Sequence, residues 1–131
     1  MLKSQVLALA LSLIPLAAHA APAKLNCMTP QGPQEIYLVP QSAGVKVFIL
    51  GANFIAAASD VAPLVNGQAE KMAGRTIKSL SGPKVEVGFE LIGEGDYGRP
   101  LFQVSLFAES GDGKKAGGAI GNCSLVPSYG L

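Results

Sequence analysis

The sequence predicts an all-β domain: a small antiparallel up-and-down barrel, or a compact sandwich, of about eight short strands closed by a disulfide. Three observations carry this expectation. Apolar and polar residues alternate over short segments, the period of a strand with one buried face. All 16 glycines lie beyond residue 20, and with the prolines they punctuate the alternating segments instead of diluting them. Cys27 and Cys123 stand close to the two ends of the chain once its first twenty residues are set aside.

Those twenty residues read as a secretory signal. Lys3 supplies the positive start, residues 5–18 (QVLALALSLIPLAA) the apolar stretch, and Ala18-His19-Ala20 the small-x-small site. Cleavage after Ala20 leaves residues 21–131 as a single domain and removes His19, the one histidine of the chain. The expected location is the periplasm or the medium. In such an oxidising compartment two cysteines pair, and only one intramolecular bond is available. Closing a loop of roughly a hundred residues is worth on the order of 4–5 kcal/mol in chain entropy. The bond would also set the first strand beside the last. Cys27 follows the polar Lys24-Leu25-Asn26, unlike the small apolar run that precedes a lipidated cysteine.

Element by element, residues 24–29 (KLNCMT) alternate with Leu25, Cys27 and Thr29 on one side, and residues 30–33 (PQGP) form a turn. Residues 34–39 (QEIYLV) make the second strand, stopped by Pro40, and 45–50 (VKVFIL) the third. Gly51 and Asn53 permit a tight turn or bulge. Residues 54–59 (FIAAAS) are read as strand, although three alanines favour helix and Asn53 could cap one; Gly51 and Pro63 bound the segment to barely two turns. Residues 60–74 form the longest irregular connection, with part of 67–74 open to an early start of the next strand. Strands follow at 75–80 (RTIKSL), 85–92 (VEVGFELI), 101–108 (LFQVSLFA) and 119–126 (AIGNCSLV). The segments 93–100 (GEGDYGRP) and 110–118 (SGDGKKAGG) connect the last three. These strands are short for a membrane-spanning barrel, which needs about 9–11 residues per strand with aromatic girdles. In an up-and-down chain connections alternate ends, so 40–44, 60–74 and 93–100 should share one.

The architecture resembles the small disulfide-closed β-barrels of periplasmic lysozyme inhibitors and related envelope proteins in size, export and strand count. The resemblance implies a fold and carries over no residue.

Charge and motifs exclude much. Without Lys3 the chain holds nine basic residues against nine acidic ones, and the longest run of like charge is Lys114-Lys115. Nucleic acid, which needs clustered cations, is therefore not an expected partner. Loss of His19 removes the usual general base and the usual metal ligand. Neither a cofactor nor a metal is expected: Glu94, Asp96 and Asp112 lack the dense spacing of a calcium loop. Ser81-Gly82-Pro83-Lys84 matches S-x-x-K, but Gly82-Pro83 marks it as a turn. Asn122-Cys123-Ser124 matches a glycosylation sequon whose middle residue is committed to the disulfide. Glu86 and Glu90 share a strand face and offer a carboxylate pair for a histidine-free hydrolase or lyase. A solvated outer face explains the same pattern.

The leading expectation is a non-enzymatic exported binding module, an inhibitor or ligand carrier whose partner is another protein or a small ligand of the envelope. Its recognition element is the loop carrying Glu94, Asp96, Tyr97 and Arg99, which sets an aromatic and charges of both signs on a glycine frame. A structural component of the envelope is the remaining alternative.

Overall fold

In the computed structural model, which describes residues 22–126, eight strands close into one barrel in which every neighbour is antiparallel. The expected signal segment, its expected cleavage site and His19 lie outside the described residues. The strands are β1 (Ala23–Thr29), β2 (Gly32–Gln41), β3 (Gly44–Ile49), β4 (Ala52–Ala56), β5 (Thr76–Ser81), β6 (Val85–Glu94), β7 (Pro100–Glu109) and β8 (Lys115–Leu125). Alternation does the sorting. Leu25 and Cys27 of β1, Ile36 and Leu38 of β2, Val45, Val47 and Ile49 of β3 and Phe102 and Val104 of β7 are all buried, and their neighbours in sequence face outward. Among the described residues no polar or charged side chain is buried. The interior is packed with apolar side chains, including an edge-to-face pair of Phe89 and Phe102 with centroids 5.7 Å apart.

Ring closure runs through β1 and β8. Cys27 lies directly opposite Cys123 in the register, their Cα atoms 4.0 Å apart, and the two are disulfide-bonded inside the barrel. The two strands approach closely beside Gly121, where an added Cβ would stand 2.5 Å from the Met28 carbonyl oxygen. Gly121→Ala is therefore expected to destabilise the fold by about 1–3 kcal/mol, the usual cost of overpacking. Urea unfolding measures it, and a change below a few tenths would show that this seam has slack.

Four strands are longer than the sequence reading gives: β2, β6 and β7 have 10 residues and β8 has 11. They take residues from the 30–33 turn and the 110–118 connection and reach the length that the reading reserved for membrane-spanning strands. Three further details differ from the reading of the sequence. β2 continues through Pro40 to Gln41, because β1 pairs no further along β2 than Leu38. Proline is tolerated where a strand is paired on one side only. The strand expected at 54–59 ends at Ala56, and a helix α1 (Ala58–Val65) begins within it. The expected irregular connection thus holds this helix and a 3-10 turn (Ala69–Met72). Asp60 sits in the first turn of α1, where an acid favours the helix dipole. The other end closes as a Schellman motif: Gln68 N–H donates to the Pro63 carbonyl, Gly67 N–H to that of Leu64, and Gly67 takes a φ of +73°. So short a helix survives through its contacts. Val61, Pro63 and Leu64 are buried, with Ala69 and Met72 of the 3-10 turn beside them, and together they plug one end of the barrel.

Antiparallel order puts alternate connections at alternate ends. The plugged end carries residues 57–75, the 95–99 connection and both ends of the described chain. A cavity of about 350 Å³ there is lined jointly by Pro22, Leu64, Val65, Arg99, Pro100 and Val126. The long connection and the 93–100 loop therefore meet, as the alternation of connections requires. The opposite end has tight turns, among them Leu50-Gly51 with φ of 48° and 81°, a two-residue hairpin turn.

Candidate functional site

The β6–β7 hairpin shapes the candidate site. Its ladder slips one residue at Ile92, between the pairs Leu91–Phe102 and Gly93–Leu101, and this bulge turns the end of the hairpin. The loop is then cinched by the Gly95 N–H, which donates to the Arg99 carbonyl over 2.7 Å. Between them the chain makes a single turn (Asp96–Gly98) in which Tyr97 takes φ 61° and ψ 27°. Among the described residues only Tyr97 and Leu50 hold positive φ without being glycine. A bulky side chain in that conformation costs roughly 1–2 kcal/mol, which surrounding structure must offset.

The strained position does not bury its side chain. Tyr97 is 90% exposed, and the Arg99 guanidinium lies 5.0 Å from its ring centroid. Stacking on one face by a planar cation holds the ring out from the surface.

Beneath the loop runs a groove of about 800 Å³ along the outer face of β1, β2 and β8. Its floor follows from the register. Asn26 and Met28 of β1 lie opposite Ser124 and Asn122 of β8, and opposite Glu35 and Pro33 of β2. Tyr97, Arg99 and Leu101 form the wall on the β7 side. Met28 is 64% exposed although it lies in a regular strand.

At the β2 edge Glu35 accepts from Lys24 Nζ at 2.8 Å and from the Tyr37 hydroxyl at 2.5 Å. These hydrogen bonds, that of Lys24 first, hold its carboxyl below the ordinary value of 4.5. A depressed carboxylate adds stability above its unfolded pKa and loses it as pH falls through the folded one. Glu35→Gln is therefore expected to remove that contribution at neutral pH, to leave stability below the folded pKa little changed, and so to flatten the acid limb. Asp112, held low by the Ser110 hydroxyl and the Lys114 N–H, keeps its share of the acid slope. Urea titrations at several pH values measure this, and an unaltered acid limb would contradict it.

Of the four residues expected in the loop, Tyr97 and Arg99 line the groove. Glu94 faces solvent at the end of β6, and Asp96 opens the turn. Glu86 and Glu90 do not come together. Four residues along a strand separate their Cα atoms by about 13 Å, beyond the carboxyl spacings of roughly 5–9.5 Å used in glycoside hydrolysis. Glu86 is ion-paired with Lys115 at 3.0 Å, and Glu90 is exposed. Ser81 ends β5 and Lys84 precedes β6, so the S-x-x-K residues form the β5–β6 turn. No group of three histidine, cysteine or acidic residues placed to hold a metal occurs among the described residues. No described helix is long and apolar enough to cross a membrane.

Sequence reasoning missed the groove floor. Alternation places Asn26, Asn122 and Ser124 outward, since Leu25, Cys27, Cys123 and Leu125 face in. Combined with the disulfide register, that pattern sets the three polar residues side by side. No protein-family model, curated protein or solved structure matches the chain.

Proposed function

We propose that the protein is a non-enzymatic binding module of an exported compartment, and that its partner docks on Tyr97 and Arg99 over the β1–β8 groove. One observation carries this reading. A tyrosine is kept in a left-handed backbone position, where glycine would relieve strain, and its ring is nevertheless given to solvent. Strain of this kind persists where a side chain is needed at that spot. Tyrosine with arginine is the composition of interface anchors, which combine area, few rotamers and directional donors. The disulfide is consistent with an oxidising, exported location.

The test pairs stability with capture from native envelope and medium. Tyr97→Gly is expected to be at least as stable as the native chain, by up to about 1 kcal/mol, and to lose the captured partner. Arg99→Ala should lose it as well. A partner retained by both variants, or a Tyr97→Gly chain that unfolds more easily, would remove the proposed site.

A further inference from the structure

We infer that the groove along β1 and β8 takes a neutral oligosaccharide, with Tyr97 stacked on one sugar ring and the strand side chains hydrogen-bonding the hydroxyls. The inference rests on the binding reading above and names the ligand class of the same site.

The floor presents the neutral polar side chains of Asn26, Asn122 and Ser124 beside Met28, Pro33 and Glu35. Across the register, Asn122 lies opposite Met28 and Ser124 opposite Asn26. Neighbours stand about 5 Å apart across strands and about 7 Å apart along them. Side-chain amides donate and accept in equal measure, and a hydroxyl does both. Among the described residues no protein group hydrogen-bonds the side chains of Asn26, Asn122 or Ser124. Asn26 and Asn122 are also exposed. Their donors and acceptors face the groove with water as the competing partner.

The charge of the lining fits a neutral ligand. Among the described lining residues Glu35 and Arg99 carry charge, one of each sign. Glu35 is already engaged by Lys24 and Tyr37. An anionic chain would find one arginine, already stacked on Tyr97. An extended peptide would need a free strand edge, and β1 is paired with β2 on one side and with β8 on the other. A sugar chain needs neither. The C–H face of a pyranose packs on an aromatic ring while its rim of hydroxyls meets amides and serine. Tyr97 offers a ring with Arg99 on one face. Met28 adds an exposed apolar contact at the far end of the same groove.

The experiment titrates the intact disulfide-bonded domain with tetrasaccharides of β-linked glucose and of β-linked N-acetylglucosamine, following side-chain amide resonances by NMR. The expected result is saturable shifts at Asn26 and Asn122 with at least one sugar. Tyr97→Ala should weaken binding about five-fold, the scale of one lost stacking contact. Asn26→Ala with Asn122→Ala should weaken it at least ten-fold, with an unchanged circular dichroism spectrum. Absence of shifts at millimolar sugar, or shifts that avoid these residues, overturns the inference. If a captured protein still depends on Tyr97 in that case, the saccharide falls and the binding reading stands. If capture ignores Tyr97 too, both fall.

Discussion

Replacing Cys27 and Cys123 together by alanine is expected to lower the unfolding free energy by about 2–5 kcal/mol. The bond spans a sequence separation of 96 residues, so its removal frees nearly the whole domain in the unfolded state. It is also the covalent part of the β1–β8 seam, where four residue pairs close the ring, against seven between β1 and β2. Both sulfurs are buried, so alanine leaves a small void in addition. For a domain of roughly a hundred residues, a loss of 2 kcal/mol lowers the melting temperature by about 8 °C or more. Calorimetry of the variant against the oxidised chain reads this directly. A shift within a degree or two would mean that the seam is held by its hydrogen bonds and packing alone. The groove floor straddles that seam, so the same variant should blur whatever recognition the floor provides.

The second large effect is expected at the plug. Leu64 is 1% exposed and sits with Val61 and Met72 against the barrel interior. Leu64→Ala should cost about 2–5 kcal/mol, the range for a buried leucine truncated in a rigid surround. A helix of eight residues containing Pro63 has little stability of its own. Loss of its packing should therefore release α1 as a unit and expose the plugged end. Hydrogen exchange would show residues 58–72 losing protection ahead of the strands. A cost below 1 kcal/mol with unchanged exchange would mean that the connection only lies over the barrel without stabilising it.

Much of this fold was legible because a barrel strand writes its two faces into its sequence. In β6, Val87 and Phe89 alternate with Glu86 and Gly88, and in β7, Phe102 and Val104 alternate with Gln103 and Ser105. No other regular structure suits that pattern. The pairing of Cys27 with Cys123 then fixed which strands meet. α1 was less legible because its signals conflict. The alanine run crosses the boundary between β4 and the helix, and Pro63 reads as a stop when it is a buried helical residue. Packing of Val61 and Leu64 overrides the propensity of the segment. The Asn66-Gly67 ending, by contrast, was a readable stop signal for a helix. At Pro40 the local rule was sound but one-sided, since a strand can carry proline wherever one flank is open.

The candidate site divides in the same way. Tyr97 and Arg99 stood out as an aromatic and a cation on a glycine frame, and the loop brings them together. Glu94, grouped with them by sequence distance, lies at the end of β6 and points into solvent. Asn26 and Asn122 are separated by most of the chain, and become neighbours only through ring closure and register. Such residues carry no local motif.

The proposed function rests on the β1–β8 groove and its tyrosine as the surface that meets a partner. Hydrogen exchange of the oxidised protein, with and without its captured partner, tests this most directly. New protection is expected at residues 95–101, 24–28 and 122–126, with the tight turns around Leu50 and Gly82 unchanged. Protection gathered at those turns, with the 95–101 segment exchanging as in the free protein, would contradict it.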